Sequence, residues 1–109
     1  MIIFKNRDAN AFWAVYHKDI ASPATQYLAL QASDNNQVNA GILNSTEPGS
    51  SVFNIGTSNA SNGNGEDMIA YCWHSVEGFS KFGSYTANNS ADGPFIYTGF
   101  RPAFVLTKR

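Results

Sequence analysis

Charge is scarce in this chain. Only 14% of its 109 residues are Asp, Glu, Lys or Arg, where soluble domains usually carry about a quarter. A helical bundle needs Glu, Lys and Arg on its exposed positions, so the shortage weighs against one. The seven basic and eight acidic residues leave a net charge of −1. This argues against a partner with a phosphate backbone, because such binders display a basic stripe. Cysteine is nearly absent. Cys72 is the only one, so no internal disulfide can form and no oxidising compartment is required. No apolar run reaches membrane-spanning length, and no membrane insertion is expected. Lys5 and Arg7 stand near the start, but no signal-peptide core follows them.

Asn, Ser, Thr and Gly supply the polarity that charge does not, as on a β surface with many turns. Period-two alternation runs through the chain. "FWAVYH" places Phe12, Ala14 and Tyr16 on one face and Trp13, Val15 and His17 on the other. "MIIFK", "QYLAL", "SVFNIG", "MIAYCWH", "KFGSYT", "PFIYTGF" and "AFVLT" are similar short runs, which makes about eight strands. The turn clusters "DIASPAT", "ASDNNQVNAG", "NSTEPGS", "TSNASNGNGED" and "ANNSADGP" separate them. No window sustains a 3.6-residue apolar period, although a single turn fits near "HSVEGFS". The pattern predicts an all-β fold, an antiparallel β-sandwich or jelly roll of about eight strands, formed as one domain over residues 1–109. "MIIF" and "FVL" are apolar on both faces and are expected to be central strands.

The two ends of the chain match. Ile2 aligns with Val105, Ile3 with Leu106 and Lys5 with Lys108, and an Arg follows in each, Arg7 and Arg109. This is the appearance of one period of a repeat, although short hydrophobic-basic runs also coincide by chance in β proteins.

"WAVYHK", "SVFNIG" and "MIAYCW…VEGFSKFGSYT…NSADGPFIYTGFRPAFVLTKR" together resemble a domain of unknown function. That domain recurs, often in tandem, in predicted tail, fibre and other virion proteins of marine bacteriophages and in viral metagenomes. The resemblance covers nearly the whole chain and is strongest from Met68 to Arg109. It implies a non-enzymatic virion structural or adhesion domain, one period of a repeat-type unit, located in the virion. The implied partners are other virion proteins or further copies of the chain in a homo-oligomer, with a cell-surface glycan as ligand. The alternatives are a capsid decoration protein, a free-standing lectin-like module on a mobile element, and a polysaccharide hydrolase whose residues are not recognised. The alternative to a virion location is that of a cytoplasmic or extracellular bacterial protein. The resemblance carries no catalytic residues.

The residues themselves offer little catalytic chemistry. Cys72 and His74 stand two apart on an expected strand and would share a face. A Cys–His pair can generate a thiolate, but Cys in an apolar strand is usually a small buried hydrophobe. His17 and His74 have no carboxylate or thiol at a recognisable metal spacing. Glu66 and Asp67 are adjacent and would point to opposite faces of a strand, and Glu77 lies beyond the next strand. No pair therefore flanks one glycosidic bond. Asn88, Asn89, Ser90 and Asp92 could gather oxygens around calcium, or could simply be a turn with side-chain to backbone bonds. No cofactor is expected. The triplets at Asn44, Asn59 and Asn88 fit a glycosylation pattern that chance explains in so Asn- and Ser-rich a sequence.

A binding role has more material. Trp13, Tyr16, Trp73, Tyr85 and Tyr97 supply amphipathic rings, and Asp34, Asn35 and Asn36 supply planar hydrogen-bonding groups in a loop. A saccharide site combines a flat ring against the C–H face of the sugar with amides or carboxylates on its hydroxyls. The same rings could instead fill the core of a small sandwich. The loops "SDNNQVN" and "SNASNGNGED" are the expected functional surface.

Overall fold

The computed structural model describes all 109 residues. It contains no helix and five strands: β1 (Ile2–Asn6), β2 (Ala14–Tyr16), β3 (Gln26–Ala29), β4 (Gln37–Val38) and β5 (Met68–Cys72). They form one antiparallel sheet in the order β4-β3-β2-β1-β5. The all-β expectation holds. The first four strands meander, and β5 returns over residues 39–67 to lie beside β1, the return move of a Greek key. The chain divides into two compact units, Met1–Trp73 with Lys108–Arg109, and His74–Thr107. All five strands belong to the first.

β1 is central, as its two apolar faces predict. It pairs with β2 through Ile2–Tyr16, Ile3–Val15 and Phe4–Ala14, and with β5 from Ile2–Cys72 to Asn6–Met68. Residues opposite each other in a ladder share a face. Ile2, Phe4, Ala14 and Tyr16 therefore lie on one side, where they pack with Ile42, Leu43 and Ala60 from the long β4–β5 connection. Phe12 packs against this cluster, as its alternation with Ala14 and Tyr16 predicts, and its ring stacks on Tyr27 at 4.9 Å. Phe53 meets Phe4 edge-on at 5.6 Å. Full burial of a side chain such as Phe4 contributes about 1.5–3 kcal/mol.

Polar side chains and backbone bonds together fix the connections. After β1, Asn6 Oδ1 accepts the backbone N–H groups of Asp8 (3.0 Å) and Ala9 (2.9 Å), which turns the chain toward β2. After β2, Ser22 O accepts from Thr25 N and Gln26 N around Pro23, whose fixed φ suits that turn. In the long connection, Ser61 Oγ donates to Ile42 O at 2.9 Å, and Ser58 N donates to Gly41 O at 3.1 Å. These bonds hold Ile42, Leu43 and Ala60 against the sheet.

The strand inventory differs from the expected eight. Residues 51–56, "SVFNIG", form no strand. Phe53 is drawn onto Phe4, Gly49 N donates to Val52 O, and Gly56 N donates to Ile42 O, so this stretch covers the core instead of pairing. The runs "KFGSYT", "PFIYTGF" and "AFVLT" form no strands either, and "FVL" is not central, because no ladder partner lies along it. β4 sits inside the stretch read as the turn cluster "ASDNNQVNAG". In the second unit, Val76 and Ser80 make an isolated antiparallel bridge around Gly78, which has φ +74°.

Candidate functional site

The opposite sheet face carries Ile3, Lys5, Val15, Leu28, Ile69 and Tyr71, by alternation along the paired strands. At its β1–β2 end the sheet opens into a concavity of about 440 Å³ lined by Lys5, Asn10, Ala11, Phe12, Trp13 and Gln31. Ligand sites commonly span about 300–1,000 Å³.

Lys5, Trp13 and Gln31 are placed there by the hairpin and its bonds. Lys5 is the one charged residue of β1. Its Nζ donates to Ala11 O at 2.7 Å and stands 5.5 Å from the centre of the Trp13 ring, within cation–π range. Trp13 is held from two directions. Its backbone N–H donates to Gln31 Oε1 at 3.1 Å, and its carbonyl accepts from Leu30 N at 3.0 Å, prolonging the β2–β3 ladder. Lys5 and Trp13 therefore meet because the β1–β2 register, continued by one residue beyond Phe4–Ala14, sets them opposite each other.

The expected site residues of the first unit do not converge. Trp13 lines the concavity and is half-buried. Tyr16 is 6% exposed and belongs to the core cluster, so its ring is not offered to a ligand, and burial raises its hydroxyl pKa above the ordinary value. Asp34 and Asn35 are exposed in the loop before β4, where their carbonyls accept from Lys108 Nζ and Gln37 Nε2, while Asn36 Nδ2 donates to Gln26 Oε1. Trp73 is 42% exposed and stacks on Tyr71 at 5.8 Å. Met1 and Trp73 exchange two bonds of 2.9 Å that extend the β1–β5 ladder. Tyr85 is exposed in the second unit. Asn88 Oδ1 accepts from Ser90 N, Ser90 Oγ from Asp92 N, and Ser90 O from Gly93 N, the arrangement of a turn.

The loop "SNASNGNGED" is partly structural, with Asn59, Asn62, Asn64, Gly65 and Asp67 still exposed. Ala60, Ser61 and Gly63 are buried, and Asn59 and Glu66 converge on the fully buried Asn6. Glu66 is engaged by Asn6, whereas Asp67 forms a solvent-exposed ion pair with Arg7 at 3.5 Å. β5 ends at Cys72, and His74 lies beyond it with Nδ1 2.9 Å from Ser75 O. Sequence reading missed Lys5, Asn10 and Gln31. The available signal was a lone Lys within an apolar strand, but only the hairpin register connects it to Trp13. The second unit holds a further concavity of about 370 Å³, lined in part by Glu77, Lys81 and Tyr97.

A family model described as a domain of unknown function (DUF7483) matches residues 1–109. The chain belongs to that family. No curated protein and no solved structure matches it.

Proposed function

We propose that this DUF7483 domain is a non-enzymatic structural and adhesion module of a phage virion that binds cell-surface carbohydrate at the Lys5–Trp13 concavity. The observation that carries the binding reading is the pairing of one half-buried indole with the side-chain amides of Asn10 and Gln31 in a concavity of sugar-binding scale. The Trp13 backbone is fixed by bonds on both sides, and Lys5 stands 5.5 Å from the centre of its ring, so the ligand meets a ring whose anchor point is already held.

The virion setting rests on the resemblance of "MIAYCW…FRPAFVLTKR" to tail and fibre domains of marine phages. A jelly roll of about eight strands is the fuller architecture of this reading. Two features support it. β5 returns beside β1 as in a Greek key, and residues 81–107 retain period-two apolar runs that form no strands in the single chain. Those runs gain ladder partners on assembly with further copies or with other virion proteins.

A glycan array tests the binding reading. Reproducible binding that is lost in Trp13→Ala, with the fold retained by circular dichroism, supports it. An array on which no saccharide binds removes it. Tight binding to assembled capsids without glycan binding would favour a decoration protein instead.

A further inference from the structure

The concavity is not neutral in its hydrogen-bonding character. Lys5 is donor-only, and its ammonium uses one proton on Ala11 O, leaving two for a ligand. Gln31 has its Oε1 engaged by the Trp13 backbone N–H, so its Nε2 is the end left free. Asn10 is exposed and offers both ends of its amide. No Asp or Glu is among the residues lining the concavity. Its free polar groups are therefore mostly donors, with one fixed positive charge, beside an aromatic ring.

We infer that this site takes an anionic saccharide, one carrying a carboxylate or a sulfate group. The inference rests on the carbohydrate-binding reading and adds the ligand's charge class. The anion would meet the Lys5 ammonium, where a charge-assisted bond is shorter and stronger than a neutral one. The amide hydrogens of Asn10 and Gln31 would meet neighbouring oxygens, and the ring's apolar face would pack on the exposed part of Trp13. A neutral sugar would leave the ammonium without an anionic partner while still displacing some of its water. That difference makes the site select by charge.

Isothermal titration of the full chain with three probes tests the inference: α-1,4-linked trigalacturonate, a sulfated carrageenan tetrasaccharide, and the neutral galactotriose. The expected result is that at least one acidic probe binds about tenfold or more tightly than the neutral one, and that raising salt weakens it. Lys5→Met should abolish this preference. Because Lys5 also anchors Ala11, Asn10→Ala provides a second variant at an exposed position that makes no internal side-chain bond. It should weaken the acidic probe and leave the thermal midpoint unchanged. In 1H–15N spectra of the unmodified chain, the acidic probe should shift the Trp13 indole and the Gln31 side-chain amide. If galactotriose binds as tightly as the acidic probes, and Trp13→Ala abolishes binding while Lys5→Met does not, the charge class is wrong and the carbohydrate reading stands. If no probe binds and none shifts these signals, and the glycan array is also blank, both fail.

Discussion

Asn6 donates from its side-chain amide to the carbonyl of Asn59 at 3.0 Å, joining two points 53 residues apart in the sequence. Asn6 is fully buried, yet every polar atom of its side chain is used. Nδ2 reaches Asn59 and Glu66, and Oδ1 accepts from Asp8 N and Ala9 N. Gly63 permits this convergence. A Cβ there would lie 2.7 Å from Asn59 Oδ1 and 2.9 Å from Asn6 Nδ2, and closer still to Glu66. One side chain thus shapes the β1–β2 turn and anchors the segment leading into β5.

Asn6→Ala strands two backbone donors and removes the partner of Glu66. A fully buried group left unsatisfied costs about 1–3 kcal/mol, and these part-buried groups stand toward the lower end of that range. The urea midpoint should fall clearly. Asn6→Asp keeps the acceptor but sets a carboxylate beside that of Glu66. It should also destabilise the fold, through like-charge repulsion and the loss of the donor to Asn59 O. An unchanged midpoint for Asn6→Ala would show that the junction is not structural.

Gly56 marks a second close approach. A Cβ built on it would stand 2.4 Å from Gly41 O, a backbone atom that cannot swing away. Gly56→Ala should cost about 1–3 kcal/mol, the usual range for overpacking. Gly49→Ala is the matched control. Its Cβ would lie 3.7 Å from Val52 O, an ordinary contact, so stability should change by less than about 1 kcal/mol or rise slightly. Paired thermal melts of the two variants distinguish a steric effect at Gly56 from a general effect of glycine removal.

His17 gives the fold a pH dependence. Burial, foremost, lowers its pKa, Asp19 opposes the shift, and the Met1 ammonium and Lys18 reinforce it. Its Nδ1 also accepts the Asp19 N–H at 3.2 Å, a bond that protonation at Nδ1 would break. The folded state therefore binds the proton less readily than the unfolded chain, whose imidazole titrates near 6.5. Stability is full above that value and declines as pH falls from about 6.5 toward the lowered folded pKa. The Met1 amine is lowered too, chiefly by burial, and its slope lies higher, toward its ordinary 8.0. His17→Gln should flatten the urea midpoint between pH 7 and 5.5 while leaving the slope near 8. An NMR titration of His17 giving a pKa above 6.5 would reverse the sign.

Alternation made the centre of the sheet legible. Ile2, Phe4, Ala14 and Tyr16 face one way because period two is a property of the extended chain. β5 was legible for the same reason. The Asn6 junction was not, because a buried Asn has no local signature and its partners lie far along the chain. "SVFNIG" misled because its alternation serves the capping of Phe4 by Phe53 and not a ladder. Tyr16 and Trp13 were both offered as ligand rings. Three residues apart on an extended strand, they point to opposite faces, and which face is open depends on where residues 39–67 fold back.

The two edges of the sheet differ, and that difference predicts self-association. β4 is two residues long and presents little backbone to another chain. β5 has five residues, none of them charged, and pairs only along its β1 side. A long edge without charge, Pro or a bulge is a template for strand addition. The chain also carries an exposed run suited to the role: Phe104, Val105 and Leu106 are 80%, 69% and 50% exposed. Val105 and Leu106 align in sequence with Ile2 and Ile3, the β1 residues that β5 pairs with on its inner side. A copy's 104–107 segment therefore has the pattern already accepted by β5. Light scattering should give a mass above that of one chain at micromolar concentration. Val105→Lys, at an exposed position, should return it to monomer without lowering the melting temperature. Ile69→Lys should also return it to monomer, because a charge on an edge strand opposes addition, but it stands opposite Lys5 in the ladder and should lower the melting temperature. A strictly monomeric unmodified chain throughout the micromolar range would show that the β5 edge does not recruit a second copy.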